Sequence, residues 1–280
     1  MIWPYCCLHS GTAFFYGMVM EQQVVFAGKG DAHPVLITDE EGLRSLRFGS
    51  EERQSCIDLL QPQVLQLAYT RWMATALLLH PQPERFLVVG LGGGALPHFL
   101  LHHYPQASIT VVEKERLVID LAQGYFHLPF TPRLDIRHQE ALHFARTEPP
   151  GEYQVAFLDI FDPGAMAPPL FDAELYRLLL HQLTDDGILA VNLWSGDRPL
   201  YRLALEAADA ASEGRMLSMQ VKKRSNVILL LFPQEIPQQR IKKAQKQSAI
   251  FQQRFGLDFP LYLKRLRRTN RFPILRTLFS

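Results

Sequence analysis

Asp159 and Asp162 stand three residues apart where an apolar run ends, in Val155-Ala-Phe-Leu-Asp-Ile-Phe-Asp-Pro-Gly164. A short run that apolar reads as a buried strand, so both carboxylates are expected at the carboxyl edge of a sheet, where open α/β folds place their ligands. Two acids at that edge suit an ammonium substrate. A carboxylate there can orient an amine and take its proton as the nitrogen attacks, a role typically worth ~10²–10⁴ in rate. The plainer alternative has Asp162 capping a turn with Pro163-Gly164 and Asp159 merely closing the strand.

A second group of residues points to a nucleoside. Phe86-Leu-Val-Val-Gly-Leu-Gly-Gly-Gly94 passes from an apolar strand into a loop holding Gly90, Gly92, Gly93 and Gly94, followed by an apolar helix. Glycines let a ligand lie against the main chain, and the helix N-terminus offers unpaired N–H groups. Ser108-Ile-Thr-Val-Val-Glu113 is a further strand ending in an acid. In that position Glu113 can accept both ribose hydroxyls, a contact of roughly 3–6 kcal/mol if each charge-assisted bond gives about 1.5–3. Glu113 pairing with Lys114 or Arg116 is the structural alternative. Glu140, just after a third strand, can accept an adenine amino group, or can stabilise the N-terminus of its own helix. Phosphate-bearing dinucleotides fit the same loop, but the triple glycine and a closing hairpin favour an adenosyl sulfonium.

These residues need a scaffold. From Phe86 to Phe232 apolar runs alternate with amphipathic stretches, the pattern of a parallel sheet covered by helices on both faces. Strands are expected at Phe86–Val89, Ile109–Glu113, Leu134–Arg137, Val155–Asp159, Ile188–Asn192, Met216–Val221 and Val227–Phe232, and helices near Leu96–His103, Arg116–Gly124, Glu140–Ala145, Ala173–Gln182 and Pro199–Ala211. The last two strands are too close for a crossover helix and should pair antiparallel. Ahead of this core, Pro34 to Gly49 reads as a β-hairpin around Asp39–Gly42. Val64 to Leu79 has helical spacing and ends before Pro81. The fold class is therefore α/β: a Rossmann-like, mostly parallel seven-stranded sheet with an antiparallel closing hairpin, a small N-terminal β-hairpin domain and a helical C-terminal extension.

Composition sets outer bounds. The 280 residues are 48% hydrophobic and 20% charged, enough to bury a sizeable core, and no apolar run approaches the roughly 20 residues that span a bilayer. Cys6, Cys7 and Cys56 offer no disulfide framework or zinc spacing, which suits a reducing cytoplasm. The net charge of +1 conceals an asymmetry: residues 1–214 carry 14 basic and 26 acidic side chains, residues 215–280 carry 15 and 2. The acidic body favours cationic small substrates. The basic tail favours anionic partners, whether nucleic acid or an acidic surface, including that of a second copy in a homodimer. Gln238–Phe255 and Leu261–Arg268 read as amphipathic helices docked on the domain, or as a membrane-surface or nucleic-acid contact. Since the sheet is complete by Phe232, truncation after Pro233 is expected to leave a folded core. Met1–Met20 lacks the basic start of a secretory signal, and Met18 or Met20 is a candidate start.

Other motifs are set aside. His98, His102, His103, His138 and His143 form no HExxH or similar pattern, and no metal is expected. Ser195 has no GxSxG elbow. Trp194 and Asn192 are expected to line the site or the core.

Taken together, the hairpin Val35 to Phe48, the helix around Tyr69 to Leu79, Gly90-Leu-Gly-Gly-Gly, Glu113, Asp159-Ile-Phe-Asp-Pro-Gly and Leu170-Phe-Asp-Ala-Glu-Leu-Tyr176 resemble the spermidine synthases, the polyamine aminopropyltransferases, over about residues 34–233. The resemblance implies that Gly90, Gly92, Gly93, Gly94 and Glu113 hold the adenosyl donor, that Glu140 replaces an adenine-contacting Asp, that Asp159 is the catalytic base, and that Asp162 and Tyr69 help hold a small amine. The donor would be decarboxylated S-adenosylmethionine. It also implies a division into 1–33, an unassigned N-terminal segment; 34–80, hairpin and linking helix; 81–233, the donor-binding catalytic domain; and 234–280, a basic helical extension. Three positions depart from the family pattern. Ala95 replaces the Asp that grips the donor's amino group, Tyr69-Thr-Arg71 replaces an acid with a base near the acceptor, and Ile160-Phe161 replaces two small polar residues. Ala95 keeps two other readings open: a methyltransferase using intact S-adenosylmethionine, and an adenosyl-binding module without catalysis.

Overall fold

The structure is a computed structural model that describes residues 22–270 except 32, 50 and 51. The candidate start at Met18 or Met20 and the cysteines Cys6 and Cys7 lie outside the described residues.

The chain begins with four antiparallel strands, β1 (Gln23–Lys29), β2 (Pro34–Glu40), β3 (Leu43–Phe48) and β4 (Ser55–Asp58), paired in that order. The expected hairpin is β2–β3, with Val35 opposite Phe48 and Glu40 opposite Leu43. The flanking strands escape a reading based on alternation for physical reasons. β1 carries a register shift between Val24 and Phe26 that breaks its period of two, and β4 is only four residues long. Strands β2, β3 and β4 bury Val35, Ile37, Leu46 and Ile57.

The expected helix over Val64–Leu79 is two shorter ones, α1 (Ala68–Met73) and α2 (Thr75–Leu79). Its first turn is missing because the Arg71 side chain claims the preceding carbonyls: Nε donates to Leu65 O at 2.6 Å and Nη2 to Gln66 O at 3.0 Å. Those carbonyls then accept from a guanidinium rather than from an amide one turn on.

The main sheet contains β5 (Arg85–Val89), β6 (Ser108–Glu113), β7 (Leu134–His138), β8 (Tyr153–Leu158), β11 (Leu183–Trp194), β12 (Met216–Gln220) and β13 (Asn226–Leu231). A two-stranded ribbon, β9 (Phe161–Asp162) with β10 (Ala165–Met166), follows β8. Strand order is β12-β13-β11-β8-β5-β6-β7, and β13 runs antiparallel to both its neighbours. The closing hairpin thus inserts its second strand beside β11 and leaves its first at the edge.

Alternate residues of the central strands serve two cores. Phe86, Val88, Val155, Phe157, Ile188 and Ala190 face one, and Leu87, Val89, Ala156, Leu158, Leu189 and Val191 face the other. Burial on both faces explains the continuous apolar runs. The first face packs α1, α2, α3 (Ala95–His103) and α4 (Arg116–Gly124). The second packs α5 (Ala141–Thr147), α6 (Ala173–His181) and α7 (Arg198–Ser212).

The tail forms α8 (Gln238–Phe255) and α9 (Phe259–Thr269). Ile241, Phe251, Phe255, Phe259, Tyr262 and Leu266 are buried in the first core. Arg254 donates to His103 O at 2.6 Å and lies over the Tyr104 and Phe255 rings, and Arg240 donates to Leu79 O and Asp186 O. Part of the tail's charge therefore serves docking, and the core expected to stand without residues 234–280 shares its apolar interior with them. Among the described residues no helix is long and apolar enough to cross a membrane.

Candidate active site

The carboxyl ends of four parallel strands bring the sequence-selected residues together. Gly90 follows β5, Glu113 ends β6, Gln139 and Glu140 follow β7, and Asp159 follows β8. Sheet bonds continue into these positions: Gly90 N donates to Val112 O, Asp159 N to Val89 O and Gln139 N to Glu113 O, all at 2.9–3.0 Å. One cavity is lined by Gly90, Gly92, Glu113, Glu140 and Asp159, with Ala95 at its wall.

Gly90 has φ +96°, and a Cβ there would lie 2.1 Å from Asp159 O. Only glycine lets the loop close onto the strand end that carries Asp159. Gly93 and Gly94 do not line the cavity. A Cβ on Gly93 would meet the Phe126 ring at 2.8 Å, and Gly94 faces Leu128, so their observed work is packing the loop and starting α3.

The Glu113 carboxylate pins this loop. Oε2 accepts from Leu91 N at 3.0 Å and Oε1 from Glu115 N at 2.9 Å. Burial pushes the carboxyl up, while these two amides oppose it. Each oxygen keeps further acceptor capacity, so the arrangement remains compatible with ribose hydroxyls. Glu140 is the N-cap of α5, yet its exposed side chain caps nothing. It lines the cavity, and from the same position its charge also favours the N-terminus of α5.

Asp159 is half-buried and lines the first cavity. Its Oδ1 accepts from Asn192 Nδ2 at 2.9 Å, and Asn192 Oδ1 in turn accepts from Asn226 Nδ2 at 3.0 Å. The Tyr69 phenol also faces Asp159, and its hydroxyl donates to Gln54 O at 3.0 Å. Burial pushes the Asp159 carboxyl up to about 6 against the hydrogen bond from Asn192 and the nearby Tyr69 phenol. Burial also drives the Tyr69 phenol well above its ordinary value, so it stays a protonated donor.

Asp162 sits in β9 and is not a free acid: Lys114 Nζ donates to its Oδ1 at 2.7 Å. Lys114 therefore pairs with Asp162 rather than with Glu113. Burial would lower the Lys114 ammonium, but the Asp162 bond and charge raise it.

A second, wider cavity adjoins the first. Gln54, Leu67, Tyr69 and Phe161 line both, and Asp162, Asn192, Trp194 and Asn226 line the second. The apolar replacements Ile160 and Phe161 line the first cavity as expected. No described histidine lines either one. His98 is buried and shares a hydrogen bond with Phe126 O at 2.9 Å, and Ser195 donates to Ser225 O.

Sequence reasoning missed Gln54 and Asn226, offered Lys114 only as a partner of Glu113, and undervalued Asn192. The available signal was polarity out of place. An Asn inside the apolar run Leu189-Ala-Val-Asn-Leu-Trp194, and another opening Asn226-Val-Ile-Leu, must find partners once buried.

The strand order, with its one antiparallel strand next to the edge, and the glycine loop and Glu113 define a Rossmann-like α/β fold with its candidate ligand site at the carboxyl edge of the sheet. Residues 66–205 match the Spermine/spermidine synthase domain. A polyamine aminopropyltransferase of Chromobacterium violaceum is 30% identical over 240 residues, covering 84% of this chain and 90% of its own. The chain belongs to the spermine/spermidine synthase family. In solved structures, a spermidine synthase in complex with the transition-state analogue AdoDATO superposes with TM-score 0.68 at 18% identity, over 88% of this chain and 86% of its own. Human methyltransferase-like protein 13 in complex with SAH superposes with TM-score 0.52 at 24% identity, over 74% and 90%. These two likenesses establish the fold.

Proposed function

We propose that this protein transfers an aminopropyl group from decarboxylated S-adenosylmethionine to an amine. The observation that carries the reading is Asp159. It is a carboxylate raised to about 6, held by neutral donors only, beside the junction of two cavities. The family membership and the aminopropyltransferase named among its relatives support the same chemistry.

In this reading the first cavity takes the donor nucleoside. The backbone at Gly90 and Gly92 lies along it, Glu113 accepts from the ribose hydroxyls and Glu140 from the adenine amino group. The donor supplies a carbon activated by a positively charged sulfur leaving group. The second cavity takes the acceptor past Tyr69. Near neutral pH Asp159 is mostly ionised and removes a proton from the acceptor's ammonium. The freed lone pair attacks the carbon beside sulfur, a C–N bond forms, the C–S bond breaks, and its electron pair stays on sulfur as a thioether. Asn192, itself held by Asn226, holds the carboxylate in place, and the Tyr69 phenol lies beside it. Asp162 guides the amine from its ion pair with Lys114. Residues 81–233 thus serve as the donor-binding catalytic domain, and 34–80 as the wall of the acceptor side.

One observation favours a second reading. Ala95, lining the first cavity at the start of α3, brings no carboxylate to grip an aminopropyl ammonium, and intact S-adenosylmethionine with methyl transfer fits that wall as well. Calorimetry with the two donors separates the readings. Tighter binding of the decarboxylated form supports aminopropyl transfer, and tighter binding of the intact form supports the methyltransferase. A homodimer, and an anionic partner for the exposed Lys242, Lys243 and Lys246 of α8, complete the proposal.

A further inference from the structure

The second cavity has the wrong sign for a plain diamine. Among its described lining residues the cations are Arg53, Arg71, Lys223 and Arg224, and the acids are Glu52 and Asp162. Two of these charges are already matched, since Arg53 pairs with Glu40 and Asp162 with Lys114. That leaves Arg71, Lys223 and Arg224 facing Glu52, and none of the three has a carboxylate partner among the described residues.

Of these cations Arg71 is held by side-chain bonds, while Lys223 and Arg224 are exposed side chains on a held backbone turn. The bonds from Arg71 Nε and Nη2 to the Leu65 and Gln66 carbonyls commit one side of the guanidinium and leave Nη1 outside them. Lys223 and Arg224 sit on the turn joining β12 and β13. That turn is closed by Val221 N donating to Asn226 O and Gln220 Nε2 donating to Arg224 O, with Lys223 in the left-handed region at φ +58°. The turn therefore reaches the cavity at the same end as Asn226, the last link of the chain to Asp159. A guanidinium presents donors in the planar arrangement that a carboxylate or phosphate accepts, whereas a second ammonium there would meet three like charges.

We propose that the acceptor is an amine that also carries an acidic group: its nitrogen faces Asp159, and its carboxylate or comparable anion is held by Arg71 and Arg224, with Lys223 adding charge. The inference rests on the second cavity's being the acceptor's. The reaction balances as for any amine. The ammonium proton passes to Asp159, the C–N bond forms, the C–S bond breaks with its pair left on sulfur, and the acidic group is unchanged.

The test compares 1,4-diaminobutane with 4-aminobutanoate and ornithine, which place a carboxylate at the far end or beside it. Binding is measured by calorimetry with 5′-methylthioadenosine present, and turnover with decarboxylated S-adenosylmethionine. We expect at least one acid-bearing amine to bind, and to be used, about tenfold or more better than the diamine. That preference should shrink at least tenfold in Arg71→Gln and in Arg224→Gln, the second lying on an exposed turn outside the core. Preference for the diamine, or a ratio that neither substitution moves, overturns the proposal. Preferential binding of an acid-bearing amine without turnover of any amine upholds the acidic-acceptor pocket and instead removes the aminopropyl reading.

Discussion

Asp159 joins a stability cost to a catalytic role. Its folded pKa of about 6 lies above its ordinary 3.8, so the ionised carboxylate opposes folding at pH 8 by at most about 3 kcal/mol. That penalty fades as pH falls through 6 and is absent below both values. Asp159→Asn keeps the shape and removes the charge. We expect turnover to fall about 10²–10⁴-fold, donor affinity to hold, and the melting temperature at pH 8 to rise. Unchanged turnover, or a lower melting temperature at pH 8, contradicts this. The wild-type rate should lose activity on the acid side as pH falls through about 6. Asn192→Ala removes a donor that lowers the Asp159 value and should move that limb to higher pH. A limb that stays put would show that Asn192 does not set the base. At Glu113 the expected ribose role meets a structural one, because the carboxylate also holds the Leu91 and Glu115 amides. Glu113→Ala should therefore abolish methylthioadenosine binding and also lower stability, by about 1–3 kcal/mol for each buried amide left unpaired. An unchanged dissociation constant rejects the nucleoside assignment. Asp159, Glu113 and Gly90 were legible because each follows an apolar run. The Lys114–Asp162 pair was not, because it joins strand ends far apart in sequence.

At the scale of elements, helices α8 and α9 carry a prediction that differs from the reading of charge alone. Their lysines and arginines mark a solvated extension, but Phe251 and Phe255, four apart on α8, and Phe259 and Tyr262, three apart on α9, bury into the first core. Truncation after Pro233 exposes the surfaces of α2 and α3 that they cover. We expect an insoluble protein or loss of a cooperative melt. A truncated protein that melts cooperatively and still binds methylthioadenosine would show the tail to be dispensable. The central strands were legible because burial on both faces writes a continuous apolar run. β1 and β4 were not, since a register shift and a length of four residues erase the alternation. The break between α1 and α2 lay in a side chain, Arg71, whose claim on two carbonyls leaves no trace in periodicity.

For the whole molecule, one charged body and one basic tail suggested long-range preferences, and the structure places the deciding charges locally. The cations of the second cavity come from the β4 edge, α1 and the β12–β13 turn, three segments that no motif links. The central claim is that the two cavities meet at a sulfonium-bound carbon that leaves with an aminopropyl group rather than a methyl. The most direct measurement identifies the nucleoside released when the purified protein is given each donor with a panel of amines, including acid-bearing ones. The account predicts 5′-methylthioadenosine, formed in equal amount with an aminopropylated amine, from decarboxylated S-adenosylmethionine. Release of S-adenosylhomocysteine from intact S-adenosylmethionine, with no methylthioadenosine from the decarboxylated donor, would contradict it.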